Sequence, residues 1–361
     1  MYRIMKARIQ EITELITEMR KAIPDKQRKP IIEILYELIK YNIVYNDFPK
    51  YYFKHLLHRK YEKNYLDYYI GKKEFFKIRH SAKDKELVSF LENKVLFQHH
   101  LKESNLRLPN YFGYNLGNTF FSPYGTRSIH NSGCFSRMIE DLMKESGASS
   151  FFVKPISGIG GRDCFKIDTD ILGSERLEEI YNKIISAKYI FQETIVQHPL
   201  ISAIYPHSVN TLRIHTGIFL DGNIDLISIT MKFGSDGKYV EAGGLGTILI
   251  SVDKDTGRLG PQAWKNFEWG GDKYIRHPDT GFEFSGFIVP YFEAAKDMAK
   301  AAAAFLPYRL VGWDVAISET GPVLIEGNHN FGFWGAQIGA GGYRKNKVFR
   351  TFYEELNSLQ E

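Results

Sequence analysis

The stretch that most constrains the fold is Val311-Gly312-Trp313-Asp314-Val315-Ala316-Ile317, followed by Pro322-Val323-Leu324-Ile325-Glu326-Gly327-Asn328. Two apolar runs with Ser318, Glu319, Thr320 and Gly321 between them read as a β-hairpin. Residues i and i+2 of a strand share a face, so Glu326 and Asn328 point the same way. Asp314 sits between aliphatic and aromatic neighbours in the first strand. Polar residues facing water account for the same letters. Carboxylate and amide oxygens on adjacent apolar strands, however, also make a cradle suited to magnesium, which keeps substrate phosphates in its shell.

A chain of 361 residues, 43% hydrophobic and 25% charged, has the length for two or three packed domains. No apolar run reaches the roughly 18 residues needed to span a bilayer. The first residues, Met1-Tyr2-Arg3-Ile4-Met5-Lys6, lack the apolar core of a signal peptide, and Cys134 and Cys164 form neither a disulfide framework nor a metal spacing. These features lead us to expect a cytoplasmic protein. The net charge is +5 and aromatic content 14%, much of it early, as in Lys50-Tyr51-Tyr52-Phe53-Lys54-His55. Interleaved bases and aromatics can bind single-stranded nucleic acid. Buried tyrosine bodies with lysines reaching to water explain the pattern better, so no nucleic-acid partner is expected. Peripheral contact with an anionic membrane or a lipid-linked glycan is a secondary reading.

Helical periodicity runs through Ile4, Ile9, Ile12, Leu15, Ile16 and Met19 to Pro24, and again from Pro30 through Ile39. The segment to about Ile70 is expected to be helical too. A single amphipathic helix is expected from Asp84 to Leu101, and another over Phe135–Lys144. Phe151-Phe152-Val153-Lys154-Pro155 reads as a strand leading into Ile156-Ser157-Gly158-Ile159-Gly160-Gly161-Arg162, with Cys164–Asp168 returning. Glycines bring backbone N–H groups close to an anion, and a strand lysine beside them suits a triphosphate. A structural glycine turn with a surface lysine reads as well.

A helix over Leu177–Ala187 precedes a strand over Tyr189–Val196. From Leu212 the residues alternate, placing Thr211, Arg213 and His215 on one face. A turn at Asp221-Gly222-Asn223 returns a strand that carries Lys232, so Arg213 and Lys232 either face one anion or are solvated strand charges. Gly243-Gly244-Leu245-Gly246 leads to a strand ending at Val252, and a polar stretch with Trp264 and Trp269 follows. Alanine-rich Tyr291–Phe305 is helical. Asn330–Gly342 reads as a glycine-rich loop, and a last helix covers Lys345–Leu359.

The ordered set of strand lysine with glycine loop, Gln192-Glu193 strand end, Ser208-Val209-Asn210-Thr211-Leu212-Arg213, Asp strand and Glu-x-Asn strand resembles the ATP-grasp superfamily. Within it the chain is similar to the sugar-transfer associated branch and to teichuronopeptide-synthesis proteins. The resemblance covers about residues 84–345. It implies an α+β ATP-grasp fold, two subdomains clasping ATP, preceded by a helical N-terminal unit. The corresponding divisions are 1–83, an N-terminal or linker subdomain over 84–148, a lid subdomain over 149–196 and a catalytic subdomain over 197–361.

Residue by residue, the resemblance implies that Lys154 holds the inner phosphates of ATP, with Ser157, Gly158, Gly160 and Gly161 in a lid over the outer ones. Gln192, Glu193, Thr194 and Val196 belong to the adenine hinge, and Asn210 is a further nucleotide contact. Lys94 matches a second nucleotide lysine, although a plain helix-surface lysine fits equally. Asp314, Glu326 and Asn328 match ligands of two magnesium ions, and Arg213 and Lys232 meet the transferring phosphate. Just after the hinge, where the family's acidic ribose partner usually lies, stands Gln197-His198-Pro199, so the ribose contact is unassigned. The implied reaction joins a carboxylate to an amine through an acyl-phosphate with release of ADP. The branch points to a sugar-acid or glycan carboxylate, joined to an amino acid or amine in surface-polysaccharide or capsule synthesis. A kinase-like phosphotransferase and a non-catalytic nucleotide-binding scaffold are the alternatives.

Overall fold

The computed structural model describes residues 2–81, 84–158, 163–237 and 247–359. It is α+β, with two antiparallel sheets facing each other across a cleft and helices packed outside them.

The N-terminal unit holds α1 (Tyr2–Ala22), α2 (Ile31–Tyr45) and α3 (Lys72–Ser81). The stretch expected to be helical up to Ile70 is instead turns and two three-residue 3-10 segments, Phe53–His55 and Tyr65–Asp67. Its aromatics are core-forming rather than periodic: Tyr41, Tyr52, Phe53, Leu57 and Tyr68 are buried in one cluster. The unit is fastened to the rest of the chain. Gln337 accepts from Tyr69 N (2.8 Å) and donates to the Tyr69 carbonyl (3.0 Å), while Arg59 donates to the carbonyls of Gly270 and Gly271.

Two helices, α4 (Lys85–Glu92) and α5 (Lys94–Leu101), replace the single one expected. Asn93 causes the break. Its backbone is extended and its side chain accepts from Val95 N and Leu96 N, capping α5 as Asp84 caps α4. The break lets Asn93 bridge Ser157 and Lys94 N donate to the Ile156 carbonyl, fixing Lys94 beside the end of a strand.

The first sheet, in the order β3-β2-β1-β6-β4-β5, contains β1 (Tyr111–Leu116), β2 (Thr119–Ser122), β3 (Gly125–Ser128), β4 (Ser150–Pro155), β5 (Phe165–Asp168) and β6 (Tyr189–Glu193). Between β3 and β4 lies α6 (Ser132–Ser146), and between β5 and β6 lie α7 (Thr169–Leu172) and α8 (Arg176–Ser186). Apolar faces of α6 and α8 (Phe135, Ile139, Leu142, Ile180, Ile184) cover the sheet through Phe151, Val153 and Phe191. The expected boundary at 148 and 149 falls in the connection between α6 and β4, inside this one layer.

Past the short α9 (Pro199–Ser202) comes a seven-stranded sheet, ordered β11-β10-β9-β8-β7-β12-β13. It consists of β7 (Thr211–Ile218), β8 (Ile224–Phe233), β9 (Ile248–Val252), β10 (Leu259–Lys265), β11 (Lys273–Tyr274), β12 (Leu310–Ser318) and β13 (Gly321–Asn328). The polar stretch around Trp264 is thus a strand, and Trp264 itself is buried. Between β11 and β12, α10 (Phe292–Phe305) lays Ala295, Ala299, Ala302 and Ala303 on the core, small side chains that let a helix approach a sheet closely. The expected loop after Asn330 contains α11 (Phe333–Ala340), and α12 (Lys347–Ser358) closes the chain. No described helix is long and apolar enough to cross a membrane.

Candidate active site

β12 pairs with β13 so that Asp314 lies opposite Glu326 and Gly312 opposite Asn328, with a bulge after Asp314. On its other side β12 sets Asp314 opposite Arg213 of β7, and β7 in turn sets Thr211 opposite Lys232 of β8. The hairpin's acids and the basic residues of the next two strands therefore meet on one face. Arg213 donates from Nε to Asp314 Oδ1 (2.5 Å) and from Nη2 to Oδ2 (2.8 Å), and Lys232 Nζ lies 3.1 Å from Oδ2. Asn328 Nδ2 reaches both Asp314 Oδ2 (3.3 Å) and Glu326 Oε1 (3.2 Å). Gly312 makes room for this: a β-carbon there would stand 2.9 Å from Arg213 Cδ and 3.0 Å from His215 Cδ2. Burial of Asp314 alone would raise its pKa, but Arg213 and then Lys232 outweigh it and hold the carboxyl below the usual range.

Across the cleft, Lys154 is buried at the end of β4, and desolvation brings its pKa down to about 8 against the pull of Glu326 and Asp314. Lys94 donates to the Gly158 carbonyl (3.0 Å). The two lysines, Arg213, Lys232 and the Asp314–Glu326–Asn328 set line one cavity of about 810 Å³ between the sheets, within the range of about 300–1,000 Å³ typical of small-molecule sites. Ser157, Gly158, Gln192, Glu193 and Thr194 line it as well. Glu193 is tied down by Asn110, whose N–H donates to its carboxylate (3.0 Å). Beyond Glu193 the chain leaves β6 and runs to the Gln197–Ser318 bridge on the second sheet, so residues 194–196 connect the two layers.

Two further residues of the expected nucleotide set do not line the cavity. Val196 is 71% exposed and does not line the cavity. Asn210 is fully buried, its amide bonding Gln197 and the Tyr205 carbonyl, so it fastens the connector. Gly160, Gly161 and the Gly243–Gly246 run lie outside the described residues.

The donor set fits magnesium by its chemistry, two carboxylates and an amide on neighbouring strands. Turning the Asn328 amide would present its oxygen to the same space, and the assignment of that amide follows from the hydrogen bonds around it. Asp314 already holds Arg213 and Lys232, so a bound ion must share its carboxylate with that cation pair. Among the described residues Glu326 carries a single amide contact, which leaves its carboxylate oxygens further acceptor capacity.

His215 shares the strand face with Arg213, and no sequence motif assigns it a role. It lines the cavity, buried, with Nδ1 2.8 Å from Ser228 Oγ and its ring stacked on Phe331 at 4.2 Å. Its Nε2 has no hydrogen-bond partner among the described residues, and burial holds its pKa well below the ordinary value. Trp334, Gly335 and Ala336 of α11 also line the cavity.

A sequence profile described as sugar-transfer associated ATP-grasp matches residues 77–349. No curated protein matches this sequence. Among solved structures, the ATP-grasp ligase PsnB complexed with a minimal precursor is similar at 14% identity over 77% of this chain and 62% of its own, with a TM-score of 0.41. D-alanyl-alanine synthetase A from Vibrio cholerae is similar at 11% identity over 75% and 67%, TM-score 0.44. The L-amino acid ligase from Bacillus licheniformis follows at 15% identity over 75% and 48%, TM-score 0.42. The chain thus spans about three fifths of the length of PsnB and about half that of the amino acid ligase.

Proposed function

Because this chain belongs to the sugar-transfer associated ATP-grasp family, we propose that it is an ATP-dependent, ADP-forming carboxylate–amine ligase working through an acyl-phosphate. The observation that carries the reading is the convergence of Lys94, Lys154, Arg213 and Lys232 with Asp314, Glu326 and Asn328 on one cavity between two sheets. ATP lies between the sheets, its adenine against the β6 connector at Gln192–Thr194 and its phosphates toward Lys94 and Lys154. Magnesium, held by Asp314, Glu326 and Asn328, neutralises phosphate charge when bound; two ions are our expectation from the family.

The substrate carboxylate attacks the terminal phosphorus, the bond to ADP breaks, and the acyl-phosphate forms. The amine then attacks the acyl carbon, phosphate leaves with the bonding pair, and the amine loses a proton. Two anions must approach each other in the first step. Arg213 and Lys232 supply the compensation there, so the protein's contribution is positioning and electrostatics. The carboxylate takes the end of the cavity nearest Arg213, below Trp334 and the start of α11. In keeping with the family's description, we propose a sugar acid or glycan precursor as carboxylate and an amino acid or amine as partner, in surface-polysaccharide synthesis.

The test is ADP release against uronic acids crossed with amino acids and simple amines, for wild type and Glu326→Gln. We expect at least one pair to stimulate release and the variant to lose about two orders of magnitude or more, as when an electrostatic stabiliser is removed. Absence of stimulation by every pair, or an unimpaired variant, would overturn the proposal or its metal assignment respectively.

A further inference from the structure

The outward face of α2 is apolar and open. On its inner side Ile34, Leu38 and Tyr41 are buried in the N-terminal core. On its outer side Ile32 is 76% exposed, Ile43 75% and Ile39 60%, with Leu35 and Tyr36 also exposed. Their spacing of three and four residues aligns them as one stripe along the helix. A helix apolar on both faces is ordinarily covered on both, and contiguous exposed apolar surface of this kind marks an interaction site.

Charge identifies what covers it. Residues 1–83 carry 19 lysines and arginines against 10 aspartates and glutamates, a net of +9, whereas residues 84–361 carry 28 against 32. The excess of the chain is therefore concentrated in the unit that bears the stripe. Lys40 flanks the stripe with its ammonium 5.4 Å from the centre of the Tyr36 ring, the pairing of basic and amphipathic aromatic side chains found at the edge of interfacial helices. A stripe of five side chains is small for a stable dimer, whose interface takes roughly 20–30 residues a side. From these observations we infer that α2 seats the protein on an anionic lipid surface, its apolar stripe at the headgroup boundary and the basic unit held by lipid charge. The inference rests on this face alone and does not depend on the reaction proposed above.

The test uses the full chain with sedimenting vesicles of phosphatidylcholine, with and without phosphatidylglycerol. Wild type should pellet with the anionic vesicles, less with neutral ones, and less again as salt rises. The triple variant Ile32→Ser/Ile39→Ser/Ile43→Ser, altered only at solvent-facing positions, should keep its unfolding temperature and lose about tenfold or more in partitioning. An Ile43→Trp variant, which preserves the apolar face, should show blue-shifted emission on adding anionic vesicles. Wild type left in the supernatant, a triple variant that pellets equally, or unchanged Trp emission would each overturn the inference. So would a lipid-free wild-type dimer that the triple variant dissociates, which would assign the face to a second copy.

Discussion

At the residue scale, Asp314 is the hub on which the rest of the site depends. It is buried between Arg213 and Lys232, and removing its charge breaks a buried ion pair with each of them. Asp314→Asn should cost about 3–5 kcal/mol of stability, the range for breaking a buried ion pair, measured by denaturant unfolding. Because the folded pKa of Asp314 is depressed, its contribution is present above the ordinary carboxylate range and is lost as pH falls through it. The folded pKa of Lys154 is lowered too, here by burial, so its linkage has the same sign in a higher pH window. Its lowered pKa means that the free protein gives up this proton above about pH 8, while the unfolded chain keeps it, so stability rises with pH from there toward the ordinary lysine value. In our proposal ATP requires the ammonium form. Nucleotide affinity measured by calorimetry should then fall by up to about tenfold per pH unit above pH 8, and Lys154→Arg should flatten that dependence, because a guanidinium stays charged. That each residue lies on a strand was legible in the sequence, since apolar flanks surround both charges. That Asp314 would be held by Arg213 was not, because the β7–β12 register depends on a pairing between strands about a hundred residues apart.

At the element scale, local structure is legible where the apolar pattern is periodic and hidden where a single side chain overrides the period. Apolar spacing continues across Asn93, yet its cap splits the helix in two and thereby sets Lys94 against the glycine loop. Asn93→Ala should cost about 1 kcal/mol in stability by thermal unfolding and weaken ATP binding more than its distance from the phosphates would suggest. Glycine content disguised α11, in which Gly335 and Gly339 face Leu249 and Trp264 so closely that a β-carbon would meet them at 2.7 and 2.6 Å. Those glycines serve packing, not looping. Gly312 has a comparable role within β12, and Gly312→Ala should push Arg213 off Asp314, lowering the rate of the proposed reaction while leaving far-UV circular dichroism unchanged.

At the scale of the whole molecule, two sheets bring opposite halves of one cavity together, and the N-terminal unit is fastened to the second sheet through Gln337, Arg59 and Arg344. The order of motifs along the chain carried the ATP-grasp fold, because successive strands bring their polar groups to the same cleft. The packing of residues 46–70 was hidden, since aromatic clusters leave no regular period. The central claim, chemistry through an acyl-phosphate, is tested most directly by following oxygen from the carboxylate substrate. With the acid and amine that stimulate ADP release, a carboxylate labelled with oxygen-18 should deliver a single labelled oxygen to the released inorganic phosphate in every turnover. Phosphate released without label, or a phosphorylated sugar accumulating in place of an amide, would contradict the account.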